Sequence, residues 1–213
     1  NKKIGIKLDP TKTPRENTEN YYTKAKKIKN SVDYAKKDIP RQNDYLEYLN
    51  QLCDFINRSQ SIEDLNDIRD EMIENNLIKK SHKHKIKNKK SKPYHYKTKN
   101  GSDIYVGKNS KQNDYITLKL ANKDDLWFHV KDVPGSHVIL RSDNISDEEI
   151  NIASYLAAIN SSISSDNKIN IDYTEKKNVN KAKGAKPGMV YYEDFSTITV
   201  DTNLNISDKY RKI

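Results

Sequence analysis

The stretch Asp124–Leu140, DDLWFHVKDVPGSHVIL, decides how the C-terminal half of this chain is read. Two runs rich in β-forming residues, Leu126–Val130 and His137–Leu140, flank the segment Lys131-Asp132-Val133-Pro134-Gly135-Ser136. Pro134 fixes φ at one turn position, and Gly135 can supply the positive φ that a type II turn needs next. The segment therefore reads as strand, tight turn and strand. Alternation places Trp127, the only tryptophan, and His129 on one face of the first strand, with Leu126, Phe128 and Val130 on the other. If the Leu/Phe/Val face is core, two readings of the Trp/His face stand. With His137 it forms a flat platform for an unstacked RNA base, or it is the core of a second layer.

Working outward, Asp103–Gly107 and Tyr115–Leu120 read as strands separated by a polar loop, Lys108–Asp114. Lys108, Asn109, Lys111, Gln112 and Asn113 suit phosphate and base-edge contacts, although an ordinary hydrophilic hairpin loop has the same composition. Ser146 can cap a helix from Asp147 to about Ser161, with Asp147, Glu148 and Glu149 placed for the helix dipole. Lys168–Thr174 alternates as a half-buried strand, with Ile169, Ile171 and Tyr173 on one face. Met189–Tyr192 and Ser196–Asp201 read as two more strands, and the polar tail after Thr202 as frayed. The expected fold class is α+β, a mainly antiparallel sheet with one helix packed on it, preceded by a helical arm.

Between those last strands, Lys176, Lys177, Lys181, Lys183 and Lys186 surround Gly184 and Gly188. Glycines let a backbone approach a phosphate that nearby lysines neutralise; a flexible lysine-rich loop is the other reading. The spacing is not GxxxxGK[ST] and opens no helix, which excludes a nucleotide P-loop. The candidate RNA-binding set is Lys108, Asn109, Lys111, Asn113, Trp127, His129, His137, Lys176, Lys181 and Lys186.

Upstream, Tyr21, Ala25, Ile28, Val32, Ala35, Ile39, Gln42, Leu46, Leu49, Cys53 and Ile56 step by alternating fours and threes. This is a coiled-coil pattern, with Pro40 expected to kink or briefly break it. Cys53 is expected to pack at a heptad core position. Ser61 can cap a second helix over Ile62–Leu77. The domain organisation is then a helical arm at 1–78, a lysine-rich linker at 79–92 and an α+β domain at 93–213.

The net charge of +9 is local: ten lysines and no acid lie between Lys79 and Lys99, and the rest of the chain is near neutral. That points first to a polyanion partner or to a solvated linker. A single cysteine fits a reducing compartment. No run approaches the length of a membrane span. No thiolate pairs, HExxH spacing or triad context are present, so neither a metal, a cofactor nor an enzyme is expected. The start, Asn1-Lys2-Lys3, lacks an initiator methionine, which suggests a fragment of a longer protein.

The stretch DLWFHVKDVPGSHVIL, together with Val106–Asp114, Asp172-Tyr173-Thr174 and Gly184-Ala185-Lys186-Pro187-Gly188-Met189-Val190-Tyr191, resembles the RNA-binding module of the NFACT family. Lys108 and Ser110 depart from the Arg and Asn usual there, and lysine loses the planar donor fork of arginine. Residues 1–58, with their Leu8-Asp9-Pro10 turn, resemble the returning half of that family's coiled-coil arm. The resemblance implies a cytoplasmic factor of bacterial ribosome-associated quality control. Its partners would be the large ribosomal subunit, rRNA and tRNA, in extending stalled chains with alanine from alanyl-tRNA. It also implies an alternative, a cell-surface fibronectin-binding adhesin. The partner helix of the arm would lie upstream in a longer chain or in a second copy.

Overall fold

The structure, a computed structural model, describes residues 4–80, 90–204 and 206–213. Most of the lysine-rich segment, 81–89, lies outside the described residues. The chain divides into two compact units, residues 1–46 and 47–213.

In the first unit, Thr13 and Glu16 open helix α1 (Pro14–Arg58) reciprocally. The Glu16 N–H donates to Thr13 Oγ1 (3.3 Å), and the Thr13 N–H donates to the Glu16 carboxylate (2.7 Å). Asn17 ties down the preceding turn: the Asp9 N–H donates to Asn17 Oδ1 (2.8 Å), and Asn17 Nδ2 donates to the Asp9 carbonyl (3.0 Å). The helix is unbroken across Pro40, so neither a break nor a restart is needed to absorb one missing N–H. The heptad residues Tyr21, Ile28, Val32, Ile39 and Leu46 are exposed.

In the second unit the buried side of α1 is different from the heptad stripe. Tyr48, Gln51, Leu52 and Phe55, at helical spacing, turn inward, whereas Cys53 and Ile56 face solvent. Helix α2 (Ile62–Glu74), capped by Ser61, lies along the inward side, and Ile68, Met72, Leu77 and Met189 complete the cluster. Two aromatic rings bury more area than a cysteine and an isoleucine could, which decides the rotation.

Among the described residues the sheet has seven strands: β1 (Tyr94–Thr98), β2 (Asp103–Val106), β3 (Leu126–Val130), β4 (Val138–Arg141), β5 (Lys168–Glu175), β8 (Ser196–Asp201) and β9 (Tyr210–Lys212). Their order is β8-β5-β3-β4-β2-β1-β9 and every pairing is antiparallel. Helix α4 (Asp147–Ile159) opens with a full Ser146/Glu149 capping box. It covers one face, where Ala153, Ala157 and Ala158 let Ile152 and Leu156 reach Phe128, Val130, Ile169 and Ile171. On the other face, a short ribbon of β6 (Val179–Asn180) and β7 (Tyr191–Tyr192) and a helical segment form a second layer.

Three expectations are corrected. Residues 115–120 are not a strand: helix α3 (Ser110–Tyr115) runs into a π-helical turn, Ile116–Leu120. The tail does not fray, because β9 pairs with β1 and Tyr210 packs edge-on to Tyr96 at 5.4 Å. In the hairpin the left-handed residue is Asp132 (φ 58°), not Gly135. Gly135 is needed for close approach, since a Cβ there would lie 2.6 Å from Val130 Cγ1.

Glu71 is buried between α1 and α2; its Oε1 accepts from the Tyr48 hydroxyl at 2.9 Å, and its Oε2 has no hydrogen-bond partner among the described residues. Burial raises its pKa above the ordinary 4.5, and the Tyr48 hydrogen bond offsets only part of this. A carboxyl raised in the fold costs nothing while protonated in both states, and costs more as pH climbs past its ordinary value. Glu71→Gln should therefore raise the melting temperature at pH 7, by about 2–4 °C per kcal/mol recovered. The gap should close below pH 4.5, and a fall at pH 7 would show that the charge is stabilised in place.

Candidate nucleic-acid interface

The segment 108–114 is a helix start, and its polar residues are turned inward. Asn109 caps α3 by accepting from the Gln112 N–H (2.9 Å), and the Gln112 carboxamide accepts from the Lys108 N–H (3.1 Å). Asn113 is fully buried: its Oδ1 accepts from the His137 N–H (3.0 Å) and its Nδ2 donates to the Gly135 carbonyl (3.3 Å). A Cβ at Gly107 would sit 2.1 Å from Asn113 Oδ1, so only glycine leaves room for this carboxamide. His137 closes the arrangement, with Nδ1 2.8 Å from the Thr117 hydroxyl of the π turn. The π turn itself is closed by the Ala121 N–H bonding the Ile116 carbonyl five residues back (2.9 Å).

This arrangement places Ile116 against Trp127, Ile139 and Val179. Trp127 is 0% exposed, so the second-layer reading holds and the ring offers no face to a stacking base in this conformation. His129 stacks on it at 5.7 Å, His137 meets it edge-on at 5.2 Å, and Tyr192 tilts across it at 4.8 Å. Burial pushes the pKa of His129 down to about 4 and that of His137 well below its ordinary value. Both imidazoles are neutral at physiological pH.

The downstream motifs serve the same layer. Asp172 accepts from the Tyr192 hydroxyl (2.9 Å) and from Thr197 (2.6 Å), and Thr174 donates to the Asp194 carbonyl (2.9 Å). Gly188, in the left-handed region (φ 77°), donates its N–H to Asp114 Oδ1 at 3.0 Å, while Lys181 pairs with the other oxygen of that carboxylate.

The candidate lysines divide accordingly. Lys108 is paired with Asp64 at 2.5 Å, and Lys111 with Glu74 at 2.7 Å. For Asp64, burial raises the pKa, but the hydrogen bonds from Lys108 and Ser61 outweigh it and hold the carboxyl below its usual range. Lys186 bonds Asn75 Oδ1 (3.0 Å) and lies 5.7 Å above the Tyr48 ring. Lys176 is half-buried with no ion pair among the described residues, and the same holds for the exposed Lys119, Lys123 and Lys183, which sequence reasoning left out of the set. The Lys176 N–H bonds the Asp125 carbonyl (2.8 Å) and the Lys177 N–H the Lys123 carbonyl (3.0 Å), so these residues adjoin. Tyr115, Leu118 and Tyr191 are exposed on the segments that form the same layer. Exposed lysines and large apolar side chains on these segments are the residue types that suit a single-stranded polyanion.

A long helix followed by an antiparallel sheet domain, one face covered by a helix and the other by a second layer, defines an α+β module. Residues 1–92 match the NFACT N-terminal and middle domains, and residues 92–194 match the NFACT protein RNA binding domain. The chain belongs to the NFACT family. It is 37% identical over 214 residues to the Rqc2 homolog RqcH of Bacillus subtilis (strain 168), covering 98% of this chain and 37% of that protein. It is 38% identical over 202 residues to the Rqc2 homolog RqcH of Streptococcus suis (strain 05ZYH33), covering 93% of this chain and 36% of that protein. The chain thus spans little more than a third of these relatives. The solved C-terminal part of the fibronectin/fibrinogen-binding protein from Streptococcus suis superposes with a TM-score of 0.81 at 36% identity. That match covers 90% of this chain and 77% of the solved one.

Asn113→Ala leaves the His137 N–H buried without a partner and takes one partner from the Gly135 carbonyl. It should cost about 1–3 kcal/mol, read as a lower denaturant midpoint with an unchanged slope; a loss below 1 kcal/mol would mean that the layer closes without it.

Proposed function

We propose that this chain is the RNA- and ribosome-binding part of a ribosome quality-control factor. In this reading it binds large subunits that hold a stalled peptidyl-tRNA, contacting rRNA and tRNA in the cytoplasm. Within a longer protein it would take part in tailing the stalled chain with alanine from alanyl-tRNA. The chain contributes binding, not catalysis. The match of residues 92–194 to an RNA-binding domain carries this reading, and the unpaired lysines on the second layer supply its electrostatics. The exposed stripe of the arm suits a second helix, upstream in a longer chain or from another copy.

A second reading, adhesion to fibronectin at the cell surface, is favoured by the name of the structural neighbour. Binding to purified large subunits and to fibronectin, measured in parallel across a salt series, separates the two. With about six phosphates neutralised on single strands, log K should fall with a slope near −4 against log salt. Lys123→Ala, Lys176→Ala and Lys183→Ala together should flatten that slope by about 2. Saturable, salt-insensitive fibronectin binding without ribosome binding would replace the first reading with the second.

A further inference from the structure

The Trp127 side of the sheet opens into a cavity of about 410 Å³. Its wall brings together Gln51 of α1, Trp127 and His129 of β3, and His137, Gly188 and Tyr192. Three polar atoms of residues that line it, Trp127 Nε1, His129 Nε2 and Gln51 Oε1, are withdrawn from solvent with no hydrogen-bond partner among the described residues. Buried polar atoms are normally satisfied. Three orphans on one cavity mark a place where a guest can satisfy them.

Their chemistry is specific. The indole N–H can only donate. His129 also hydrogen-bonds the Gly135 and Val130 backbone in the sense that favours its protonated form. Because Nε2 has no partner, Nδ1 makes those bonds and carries the hydrogen, which leaves Nε2 a lone pair. Gln51 Oε1 is likewise an acceptor, and no bond at that atom resists its moving aside. A Cβ at Gly188 would lie 2.8 Å from this oxygen, so a glycine is what lets the amide reach the wall. His137 is spent, with Thr117 on one ring nitrogen and the Gly188 backbone hydrogen-bonded to the ring.

One donor beside two acceptors, with Glu47 and Asp132 also in the lining, is wrong for a phosphate, which is anionic and only accepts. It is right for the edge of a nucleobase with an exocyclic amino group: the amino group donates to His129 and Gln51, and the neighbouring ring nitrogen or keto oxygen accepts from Trp127. We propose that this cavity receives the edge of an amino-bearing base, adenine, cytosine or guanine, from single-stranded RNA and discriminates against uracil. The inference rests on the RNA-binding reading above and adds a base-reading subsite to its electrostatic surface.

Trp127 is the only tryptophan, so its fluorescence reports occupancy directly. The full chain is titrated with RNA hexamers of A, C, U and abasic ribose phosphate, following both fluorescence and the anisotropy of labelled oligomers, and with free adenosine and uridine. Expected are saturable quenching by the A and C hexamers and by adenosine, with about tenfold weaker affinity for U. Abasic RNA should bind in anisotropy without quenching. His129→Phe keeps the ring and removes the acceptor, and should lower affinity for the A hexamer about tenfold while sparing the abasic one. Gln51→Ala is the second variant should His129→Phe fail to fold. Equal quenching by all four oligomers, or binding of all four with none, would overturn the subsite while RNA binding stands. Quenching by adenosine with no oligomer retained would keep the subsite and overturn the RNA reading. Silence in every arm would overturn both.

Discussion

The carboxamide of Asn113 is the point on which the second layer depends. It joins α3 to the turn between β3 and β4 through one accepted and one donated hydrogen bond, both buried. Losing the accepting end would strand the buried His137 N–H. Once α3 is pinned, Thr117 falls opposite His137, Ile116 falls over Trp127, and the β6/β7 ribbon completes the cover. The glycine at 107 is a consequence of the same constraint, since a Cβ there would collide with the carboxamide.

That dependence explains what the lysines do. Lys108 and Lys111 are matched to Asp64 and Glu74 near the two ends of α2, and Lys181 to Asp114 of α3, and so these pairs tie α2 and the glycine-containing loop to α3 and the turn before it. A pair as withdrawn as Lys108–Asp64 is held by geometry as much as by charge, because desolvation opposes it. Lysines outside these pairs leave their charge available at the surface. The domain therefore uses one residue type for two purposes, and ion pairing separates them.

What could be read from the residues alone was whatever is enforced locally. Ser146 and Glu149, three residues apart, form their capping box, Ser61 caps α2 through the Asp64 N–H, and the period-two pattern of Ile169, Ile171 and Tyr173 puts all three toward α4. The α+β class followed from such signals. The errors came where a distant partner decides. Ile116–Leu120 alternates well enough for a strand, yet a bond to His137, 20 residues away, makes it a π turn. Lys108 looks like a loop cation until Asp64, 44 residues upstream, is placed beside it. The tail after Thr202 is polar, and only the open edge of β1 gives it a reason to extend. The aromatic face of β3 was assigned to the right side of the sheet, but nothing in its own residues shows that another layer seals it.

The π turn at 116–120 also bears on how such chains diverge. A π turn holds one residue more than the α-helical spacing it interrupts, so it behaves as a stored insertion. Deleting a single residue there would restore α-helical spacing, with the wide turn giving up its slack and the residues on either side keeping their places. Ile116 would stay over Trp127, and the Lys123 loop would still lead into β3. A length change of one residue is thus tolerated at this turn without rebuilding the core beneath it.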